Sequence, residues 1–245
     1  MLHDIAGYLK ELTSNLNVPF VFKASYRKAN RSSNDSFVGV GDSVALEYLA
    51  EIKRTYNVPV VTDIHETIEV AEVARVADVL QIPAFLCRQT NLLIAAGESG
   101  CTVNIKKGQF AAPDDMVKAV RKVQSTGNNN VWVCERGTSF GYHDLVVDMR
   151  SLVIMRNTGC PVIFDATHSV QKPSIGATSG GSPEFVPALS RAAVAMGIDG
   201  LFFETHPNPA VALSDAATQL PLNSVRDYLT QLVELDQFVR SNTSR

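Results

Sequence analysis

Residues 23–33, with the sequence KASYRKANRSS, concentrate the side-chain types that bind phosphate groups and sugar hydroxyls. The segment supplies lysine and arginine cations, an asparagine amide and several serine hydroxyls. An arginine guanidinium offers a planar fork of donors to a phosphate, a lysine ammonium is a compact charge, and amides and hydroxyls bond to sugar hydroxyls. The segment therefore predicts a site for a phosphorylated, hydroxylated ligand. An exposed basic loop is the alternative interpretation of the same composition.

Polar residues also come at the ends of apolar runs elsewhere in the chain. Two residues apart, they form the pairs Lys23 and Ser25, Asp63 and His65, Asn104 and Lys106, and Glu204 and His206. Side chains alternate between the faces of a strand, so each pair is predicted to share a face. Charges would be costly in the dry core that the neighbouring Val, Ile and Phe residues indicate. We therefore expect these residues to line a site at the strand ends; strand ends that merely reach solvent are the alternative.

A third set of residues, His168, Glu204 and Asp215, has the composition of a metal site. One imidazole with two carboxylates suits Zn, Fe(II), Mn or a similar divalent ion and leaves room for a bound water. The same three side chains would serve equally well as general acid–base groups. The residues alone leave both interpretations open.

The elements that must position these residues follow a regular order. Seven apolar or β-branched runs, each followed by helical periodicity, cover residues 18–25, 58–64, 79–85, 102–108, 131–137, 161–168 and 200–206. The first helix is indicated by Leu2, Ile5, Leu9, Leu12 and Leu16, and later helices are predicted to end at Gly100, Gly127, Gly159 and Gly197. Alternating strands and helices are typical of a parallel sheet. We predict an α/β fold of the TIM (β/α)8-type barrel in a single catalytic domain, residues 1–245.

A closed barrel of this class has eight strands, and the sequence supplies seven. We expect the first strand to precede Met1, and so to be absent from this sequence. A barrel that closes in another way is the alternative, although an open gap would expose two unpaired strand edges.

Composition narrows the function classes. The chain is 45% hydrophobic and 19% charged, with a net charge of -3, which gives no general attraction to nucleic acid or to an anionic membrane. It has neither an apolar run long enough to cross a bilayer nor a basic-then-apolar leader, so we expect a cytoplasmic protein. Cys87, Cys101, Cys134 and Cys160 lack metal-type spacing and are predicted to be reduced thiols in or near the core.

Nine motifs, in order along nearly the whole chain, carry a resemblance to a known family. They are KANRSS (28–33), TDIHE (62–66), QIPAFLCRQT (81–90), VNIKKGQF (103–110), CERGTSFGY (134–142), FDATHSVQ (164–171), SGGSPEF (179–185), and ETHPNP (204–209) with LSDAATQLP (213–221). The chain resembles the 3-deoxy-D-manno-octulosonate 8-phosphate synthases. The resemblance implies a TIM barrel that condenses phosphoenolpyruvate with D-arabinose 5-phosphate and water, in lipopolysaccharide precursor biosynthesis. The related heptulosonate-phosphate synthases, which take erythrose 4-phosphate, typically read KPRTS-like in place of KANRSS.

The resemblance also implies roles for individual residues. Phosphoenolpyruvate would be held by Lys23, Lys28, Gln81, the backbone at Ala84, Lys106 and Arg136, with Ser25 beside them. Arabinose 5-phosphate would be held by Asn30, Arg31 and Ser32, with Arg88 reaching it from a neighbouring subunit of a homo-oligomer, a tetramer. The candidate catalytic residues are Lys28, Asp63, His65, His168 and Asp215. His65 and Asp63 would orient substrate, relay a proton, or form a supporting pair.

For the metal, the resemblance points in two directions. In metal-dependent members His168, Glu204 and Asp215 match ligands, and a cysteine in an AGPC-like motif on the first strand is the fourth; metal-independent members carry asparagine there. ETHP and SDAATQLP are similar to the metal-dependent branch. We expect a divalent metal to bind weakly or not at all if the first-strand cysteine is truly missing.

The chain departs from the family pattern at two places near the KANRSS segment. Tyr26 and Arg27 stand where the family usually has Phe and Asp, and Val38 stands where it has Arg. These changes, with the missing strand, support a rival interpretation: a non-catalytic or impaired barrel that only binds phosphosugars. A Schiff-base phosphosugar aldolase is a further rival, against which KANRSS argues.

Overall fold

The computed structural model of the chain describes residues 1–29, 37–173 and 180–242. The chain forms two compact units. The first contains residues 1–108 and 115–133, and the second contains residues 109–114 and 134–245. Asn30, Arg31 and Ser32, which were predicted to bind the sugar phosphate, lie outside the described residues.

Seven strands form the main sheet, and each lies within one of the seven predicted apolar runs. They are β1 (Phe22–Lys23), β2 (Val60–Asp63), β3 (Val79–Ile82), β4 (Thr102–Lys106), β5 (Val131–Glu135), β6 (Val162–Asp165) and β7 (Gly200–Phe202). Their order in the sheet follows their order in the chain, and the boundary between the two units falls within β5. Pairing is parallel from β1 to β4 and between β6 and β7. This is the α/β fold class of the TIM-type barrels, as predicted.

The register of strands β2, β3 and β4 brings polar residues into one row. Asp63 of β2 pairs with Gln81 of β3, which pairs with Asn104 of β4. All three are buried, among strands whose other residues are mostly Val, Leu and Ile. Paired residues of neighbouring strands point to the same face, so this row is available for hydrogen bonding within the sheet.

Eight helices are present in the described residues: α1 (Leu2–Asn15), α2 (Asp42–Tyr56), α3 (Val70–Val73), α4 (Thr90–Glu98), α5 (Met116–Gln124), α6 (Arg150–Arg156), α7 (Val186–Ala195) and α8 (Val225–Asn242). Just beyond α4, α5, α6 and α7 the predicted terminating glycines have φ values of +76°, +90°, +76° and +75°. This left-handed conformation costs glycine little, because it has no Cβ, and it ends a helix. The four predicted helix ends are confirmed.

The helices bury one apolar face each. In α1 that face consists of Ile5, Leu9 and Leu12, from the predicted spacing. Within the second unit α7 packs on α8, and the Ser190 and Tyr228 hydroxyls are 2.7 Å apart. No helix among residues 1–29, 37–173 and 180–242 is both long and apolar enough to cross a membrane.

Short strand pairs of the second unit follow the main strands. Thr138–Ser139 pairs with Leu145–Val146 and Gln171–Lys172 with Gly180–Gly181, both antiparallel, while Thr205–His206 pairs in parallel with Leu220–Pro221. The predicted strand 200–206 is therefore two strands. The break comes at 203–204, where the Glu204 N–H donates to Thr167 Oγ1 at 2.7 Å. Glu204 and His206 do not share the face of one continuous strand, so that prediction is wrong.

Candidate functional site

The first unit carries a buried cluster built around the Asp63 carboxylate. Ser25 Oγ donates to Asp63 Oδ2 at 2.7 Å, and Gln81 Nε2 donates to Oδ1 at 2.6 Å. Lys23 Nζ donates to Ser25 Oγ at 2.7 Å and lies 3.5 Å from Asp63 Oδ1. The predicted proximity of Lys23 and Ser25 is confirmed. Three neighbouring strands, β1, β2 and β3, thus bring an ammonium, a hydroxyl, an amide and a carboxylate together.

Charges and hydrogen bonds keep Asp63 ionised. Burial by itself raises the pKa of this carboxyl, but the charges of Lys23 and Lys28, the Ser25 hydrogen bond and the charge of Lys106 outweigh it. The pKa of Asp63 therefore lies well below its usual range. A carboxyl that holds its proton so weakly is a poor general acid at neutral pH. Its chemistry is that of a fixed anion that orients ammonium groups.

The fourth strand extends the cluster. Asn104 Nδ2 donates to Gln81 Oε1 at 3.4 Å, and Lys106, two residues further along β4, is also buried. Among the described residues, Asn104 Oδ1 is buried without a hydrogen-bond partner. A buried acceptor of this kind usually receives a bond from a bound water or ligand, because leaving it unpaired is costly.

His65 and Asp63 do not form the pair that strand alternation predicted. The strand ends at Asp63, and the chain turns into a 3-10 helix at Thr67–Glu69. The His65 N–H donates to Glu69 Oε2 at 2.8 Å, and His65 Nδ1 lies 3.4 Å from the same oxygen. Alternation applies only within a strand. His65 is therefore oriented by Glu69, a residue that strand patterns do not single out.

The other candidate residues of the first unit lie in loops. The Lys28 N–H donates to Val38 O at 2.8 Å, and Lys28 is close enough for its charge to act on Asp63. Ala84 is buried at the start of the 3-10 helix Ala84–Leu86. Arg88 is exposed, and its carbonyl accepts a bond from Lys122 Nζ at 3.0 Å.

The second unit brings the predicted metal ligands together. One donor atom each from His168, Glu204 and Asp215 lies within 4.8 Å of the others. His168 begins the 3-10 helix after β6, Glu204 follows β7, and Asp215 lies in the loop between the strands of the Thr205–His206 pair. His168 Nδ1 is 3.0 Å from Asp165 Oδ1, and its Nε2 is 3.8 Å from Glu204 Oε1. Asp165 therefore fixes the ring with Nε2 directed at the cluster.

Asp215 is held in an uncommon conformation. Its φ of +52° is in the left-handed region, which non-glycine residues rarely adopt. Gln171 Nε2 donates to Asp215 Oδ1 at 2.6 Å, and the Thr218 N–H donates to Asp215 O at 2.9 Å. Such backbone conformations persist where the surroundings over-determine them and are common at functional sites.

A chain of hydrogen bonds links Asp215 to a buried arginine. Arg136, just beyond β5, donates through Nη2 to Gln171 Oε1 at 2.9 Å. Within the described part of the chain, its Nη1 is buried and has no hydrogen-bond partner. Burial lowers the pKa of Arg136, against nearby acidic groups including Asp165 and Asp215, which raise it. A guanidinium remains charged in proteins, so this unmatched donor is suited to an anionic ligand.

The three ligand candidates fit a divalent cation. The donor set is one imidazole and two carboxylates, and two of the three have an identifiable second partner: Asp165 for His168 and Gln171 for Asp215. Carboxylate-oriented histidines are usual at metal sites, where the partner fixes the tautomer and the ring direction. Asp165 and Gln171 are functional candidates that sequence reasoning missed, although both stand in the motif FDATHSVQ.

His206 differs from the ligand candidates. Its Nδ1 accepts a hydrogen bond from the Asn208 N–H at 3.0 Å, so it bonds locally.

Comparison with known proteins assigns the family. The DAHP synthetase I family model matches residues 1–241 of the chain. A 2-dehydro-3-deoxyphosphooctonate aldolase from Francisella philomiragia is 60% identical over 242 residues, which cover 98% of this chain and 88% of the relative. Proteins of the same name from Thiobacillus denitrificans and Methylococcus capsulatus are 57% and 56% identical, over 97% and 98% of this chain and 85% of each relative. The chain therefore belongs to the DAHP synthetase I family and, within it, to the 2-dehydro-3-deoxyphosphooctonate aldolases.

Proposed function

We propose that the chain condenses phosphoenolpyruvate with D-arabinose 5-phosphate and water, giving 3-deoxy-D-manno-octulosonate 8-phosphate and inorganic phosphate. The observation that carries the proposal is a set of three lysines, Lys23, Lys28 and Lys106, whose charges act on the buried Asp63 carboxylate, in a protein whose net charge is -3. Lysine ammonium groups bind phosphate and carboxylate oxygens through charge-assisted hydrogen bonds, and both proposed substrates carry such groups.

The reaction balances without any redox partner. C3 of phosphoenolpyruvate attacks the aldehyde carbon of arabinose 5-phosphate, and the aldehyde oxygen takes a proton and becomes a hydroxyl. Water adds at C2 of the former enol phosphate. The resulting hemiketal phosphate breaks its C–O bond to phosphate, leaving the 2-keto group and inorganic phosphate. The protein has to align two anions and neutralise their phosphates with separate cations.

Phosphoenolpyruvate is proposed to bind to Lys23, Ser25, Lys28, Gln81, the backbone at Ala84, Lys106 and Arg136. Two observations support this assignment. The charges of Lys23, Lys28 and Lys106 act on the Asp63 carboxylate. Arg136 Nη1 is a buried donor without a hydrogen-bond partner among the described residues. Charge-assisted hydrogen bonds contribute about 1.5–3 kcal/mol each. Asp63 and His65 then orient the lysines and the loop after β2.

Arabinose 5-phosphate is proposed to bind to Asn30, Arg31 and Ser32, with Arg88 supplied by a neighbouring subunit of a homotetramer. Arg88 is exposed on this chain, and Phe85, three residues before it, is 57% exposed. An arginine beside an exposed aromatic residue has the composition of a protein–protein contact. We further propose a cytoplasmic enzyme of lipopolysaccharide precursor biosynthesis, with residues 1–245 acting as one catalytic domain.

His168, Glu204 and Asp215 are proposed to hold a divalent metal such as Zn, Fe(II) or Mn. When bound, such an ion polarises a carbonyl oxygen or lowers the pKa of a water. The chain itself holds His168 through Asp165 and Asp215 through Gln171, so both side chains keep one orientation at that position. They are the candidate groups for moving the proton of the attacking water.

Phosphate release in the presence of both substrates tests the proposal. We expect release that needs both phosphoenolpyruvate and arabinose 5-phosphate, with erythrose 4-phosphate a much poorer acceptor. Comparable turnover of the two aldehydes would contradict the acceptor assignment. Ligand binding without phosphate release would favour the non-catalytic phosphosugar-binding barrel.

Substitution of Lys106 or Arg136 by Ala tests the phosphoenolpyruvate assignment. Each variant should weaken binding at least about tenfold, because one lost charge-assisted bond costs about 1.4 kcal/mol or more. Calorimetric titration with phosphoenolpyruvate measures this effect. An unchanged titration curve would remove that residue from the site.

A further inference from the structure

Arg27 connects three segments of the first unit. Its Nη2 donates to Glu69 Oε1 at 2.5 Å and to the Tyr26 hydroxyl at 3.2 Å, and lies 3.4 Å from Asp42 Oδ2. Glu69 ends the 3-10 helix after β2, and Asp42 is the first residue of α2. One guanidinium therefore joins the chain after β1 to the loop after β2 and to the start of a helix.

Glu69 is the central acceptor of this arrangement. Its side chain is 8% exposed, and its second oxygen accepts the His65 N–H at 2.8 Å. Burial raises the pKa of Glu69, but the hydrogen bond from Tyr26, the backbone bond and charge of His65 and the charge of Arg27 together lower it. Glu69 is thus a buried anion shared between Arg27 and the candidate catalytic His65. Removal of a partner from a buried charge is strongly unfavourable.

The residues around Arg27 are fixed to their surroundings on both sides. Before it, the Tyr26 ring is buried and the Tyr26 N–H donates to Thr62 Oγ1 at 3.0 Å. After it, the Lys28 N–H donates to Val38 O at 2.8 Å. The contact between Arg27 and Asp42 lies next to this hydrogen bond in the sequence, because Arg27 precedes Lys28 and Asp42 comes four residues after Val38. Arg27 and Lys28 are neighbours with different partners: Arg27 bonds to Glu69, and the charge of Lys28 acts on Asp63.

We infer that Arg27 is a positioning residue that, through its bond to Glu69, fixes Lys28 for binding of phosphoenolpyruvate. The inference rests on the proposed function. The bond from Arg27 to Glu69 holds the backbone beside Lys28 against the loop that also carries His65. The Lys28 ammonium is therefore held near Asp63 before any substrate binds. Pre-organisation of this kind lowers the entropy cost of binding.

The same arrangement accounts for the two departures from the family motif. A basic residue at position 27 is matched here by Glu69 and Asp42, so the exchange of an acid for a base leaves no unpaired charge on Arg27. Val38 contributes its carbonyl, which any residue provides, and its side chain is 47% exposed. Neither change disrupts the Asp63 cluster.

The test compares Arg27→Met, Arg27→Lys, Glu69→Gln and the Arg27→Met/Glu69→Gln double variant. We expect Arg27→Met and Glu69→Gln each to raise the Kd and KM for phosphoenolpyruvate about tenfold, while the kcat of Arg27→Met stays within about twofold of wild type. Arg27→Lys keeps the charge but not the planar fork, so a rise of about threefold is expected. The double variant should be no worse than the poorer single variant, because both remove one interaction.

Arg54→Met is the matched control. Arg54 forms an ion pair with Glu47 at 3.0 Å on α2, and both side chains are about two-thirds exposed, at 65% and 68%. Its removal should leave Kd, KM and kcat for phosphoenolpyruvate unchanged, since exposed pairs contribute little.

Several outcomes would overturn the inference. If Arg27→Met lowers the Tm but leaves the Kd and KM for phosphoenolpyruvate unchanged, Arg27 is only a structural residue. If Arg27→Met fails to fold, Arg27→Lys decides, and a wild-type Kd and KM in that variant count against positioning. Absence of turnover in the wild type overturns the proposed function alone, because the calorimetric Kd comparison still applies. If the wild type does not bind phosphoenolpyruvate, both are wrong.

Discussion

Asp63 determines how the first-unit cluster responds to pH. It accepts bonds from Ser25 and Gln81 and faces lysine charges, so its folded form holds a proton far less readily than the unfolded chain does. A carboxyl with a lowered folded pKa stabilises the protein fully above its unfolded pKa, near 4. The stabilisation is lost as the pH falls below that value towards the folded pKa. The lowered pKa of Asp63 therefore predicts that the protein loses stability below about pH 4 and not above it.

Asp63→Asn should remove this pH dependence. Between pH 4 and pH 3 the wild type should lose about 1 kcal/mol more unfolding free energy than the variant, since the unfolded carboxyl completes its protonation in this range and the folded one does not. Urea unfolding of both proteins at pH 7, 4 and 3 measures the difference. Parallel stability profiles below pH 4 would mean that Asp63 is not the ionised centre of the cluster.

Gln171 is the residue through which Arg136 and Asp215 are joined. Gln171→Leu keeps a similar side-chain size but removes both hydrogen bonds, so Asp215 loses the amide that orients its carboxylate. We expect affinity for a divalent metal or kcat to fall about 10- to 100-fold, the range seen for partners of metal ligands.

Isothermal titration calorimetry, with Zn, Fe(II) and Mn in separate titrations, measures the metal affinity of Gln171→Leu, and phosphate release measures its kcat. Gln231→Leu, at an exposed position of α8, is the control and should behave as wild type. Equal metal affinity and turnover in Gln171→Leu and wild type would rule out a positioning role for Gln171.

At the scale of elements, sequence periodicity was sufficient for the main sheet. All seven apolar runs contain a strand, and the glycines after α4 to α7 end those helices. These signals are local: alternation, helical spacing and a residue that tolerates positive φ. The two-residue strands could not be predicted in this way. Gln171–Lys172, for example, depends on pairing with Gly180–Gly181, a contact that no local pattern encodes.

In the candidate site, too, the residues with a local sequence signal were predicted and the residues defined by contacts in space were not. Residue types at strand ends predicted that His168, Glu204 and Asp215 come together, and the structure places their donor atoms within 4.8 Å. The partners that orient them, Asp165 and Gln171, were missed, because a partner is defined by distance in space and not by spacing along the chain. Glu69 was missed for the same reason: its link to Arg27 spans 42 positions.

Gly181 is an element-level requirement that can be tested. A Cβ at this position would meet the Thr218 Cγ2 methyl and come within 3.1 Å of Val170 O. Thr218 is buried, and its hydroxyl donates to Asp215 O at 3.3 Å. Gly181→Ala should therefore displace the Thr218 side chain and with it the turn that holds Asp215. Overpacking of this kind costs about 1–3 kcal/mol of stability.

The matched control is Gly180→Ala, where the added Cβ would meet only Lys172 Cβ, at 3.8 Å. Thermal unfolding and phosphate release of both variants make the comparison. We expect Gly181→Ala to lower the Tm and to reduce kcat, while Gly180→Ala stays close to wild type. Two variants of equal stability and activity would show that the strand pair does not transmit its packing to Asp215.

At the scale of the whole molecule the net charge is -3, but lysine cations are gathered around Asp63. Long-range attraction of an anionic substrate is weak for such a protein, so binding depends on cations gathered at short range. The same logic applies to Arg88, whose cation lies outside the Asp63 cluster on an exposed stretch of the first unit. We propose that Arg88 contributes to the phosphate site of a neighbouring subunit.

Mixed oligomers test whether Arg88 is shared between subunits. Arg88→Ala and Lys106→Ala subunits, each inactive alone, should regain activity when they assemble together, because an Arg88→Ala subunit keeps Lys106 and its neighbour supplies Arg88. In a random equal mixture roughly a quarter of the sites are intact, so roughly a quarter of wild-type activity is expected. A Lys23→Ala and Lys106→Ala mixture is the control and should stay inactive, since Lys23 and Lys106 belong to the same subunit's Asp63 cluster. Subunit exchange is checked by native mass spectrometry of differently tagged chains. If exchange is complete and the Arg88→Ala mixture is as inactive as the control, each subunit uses its own Arg88 or none.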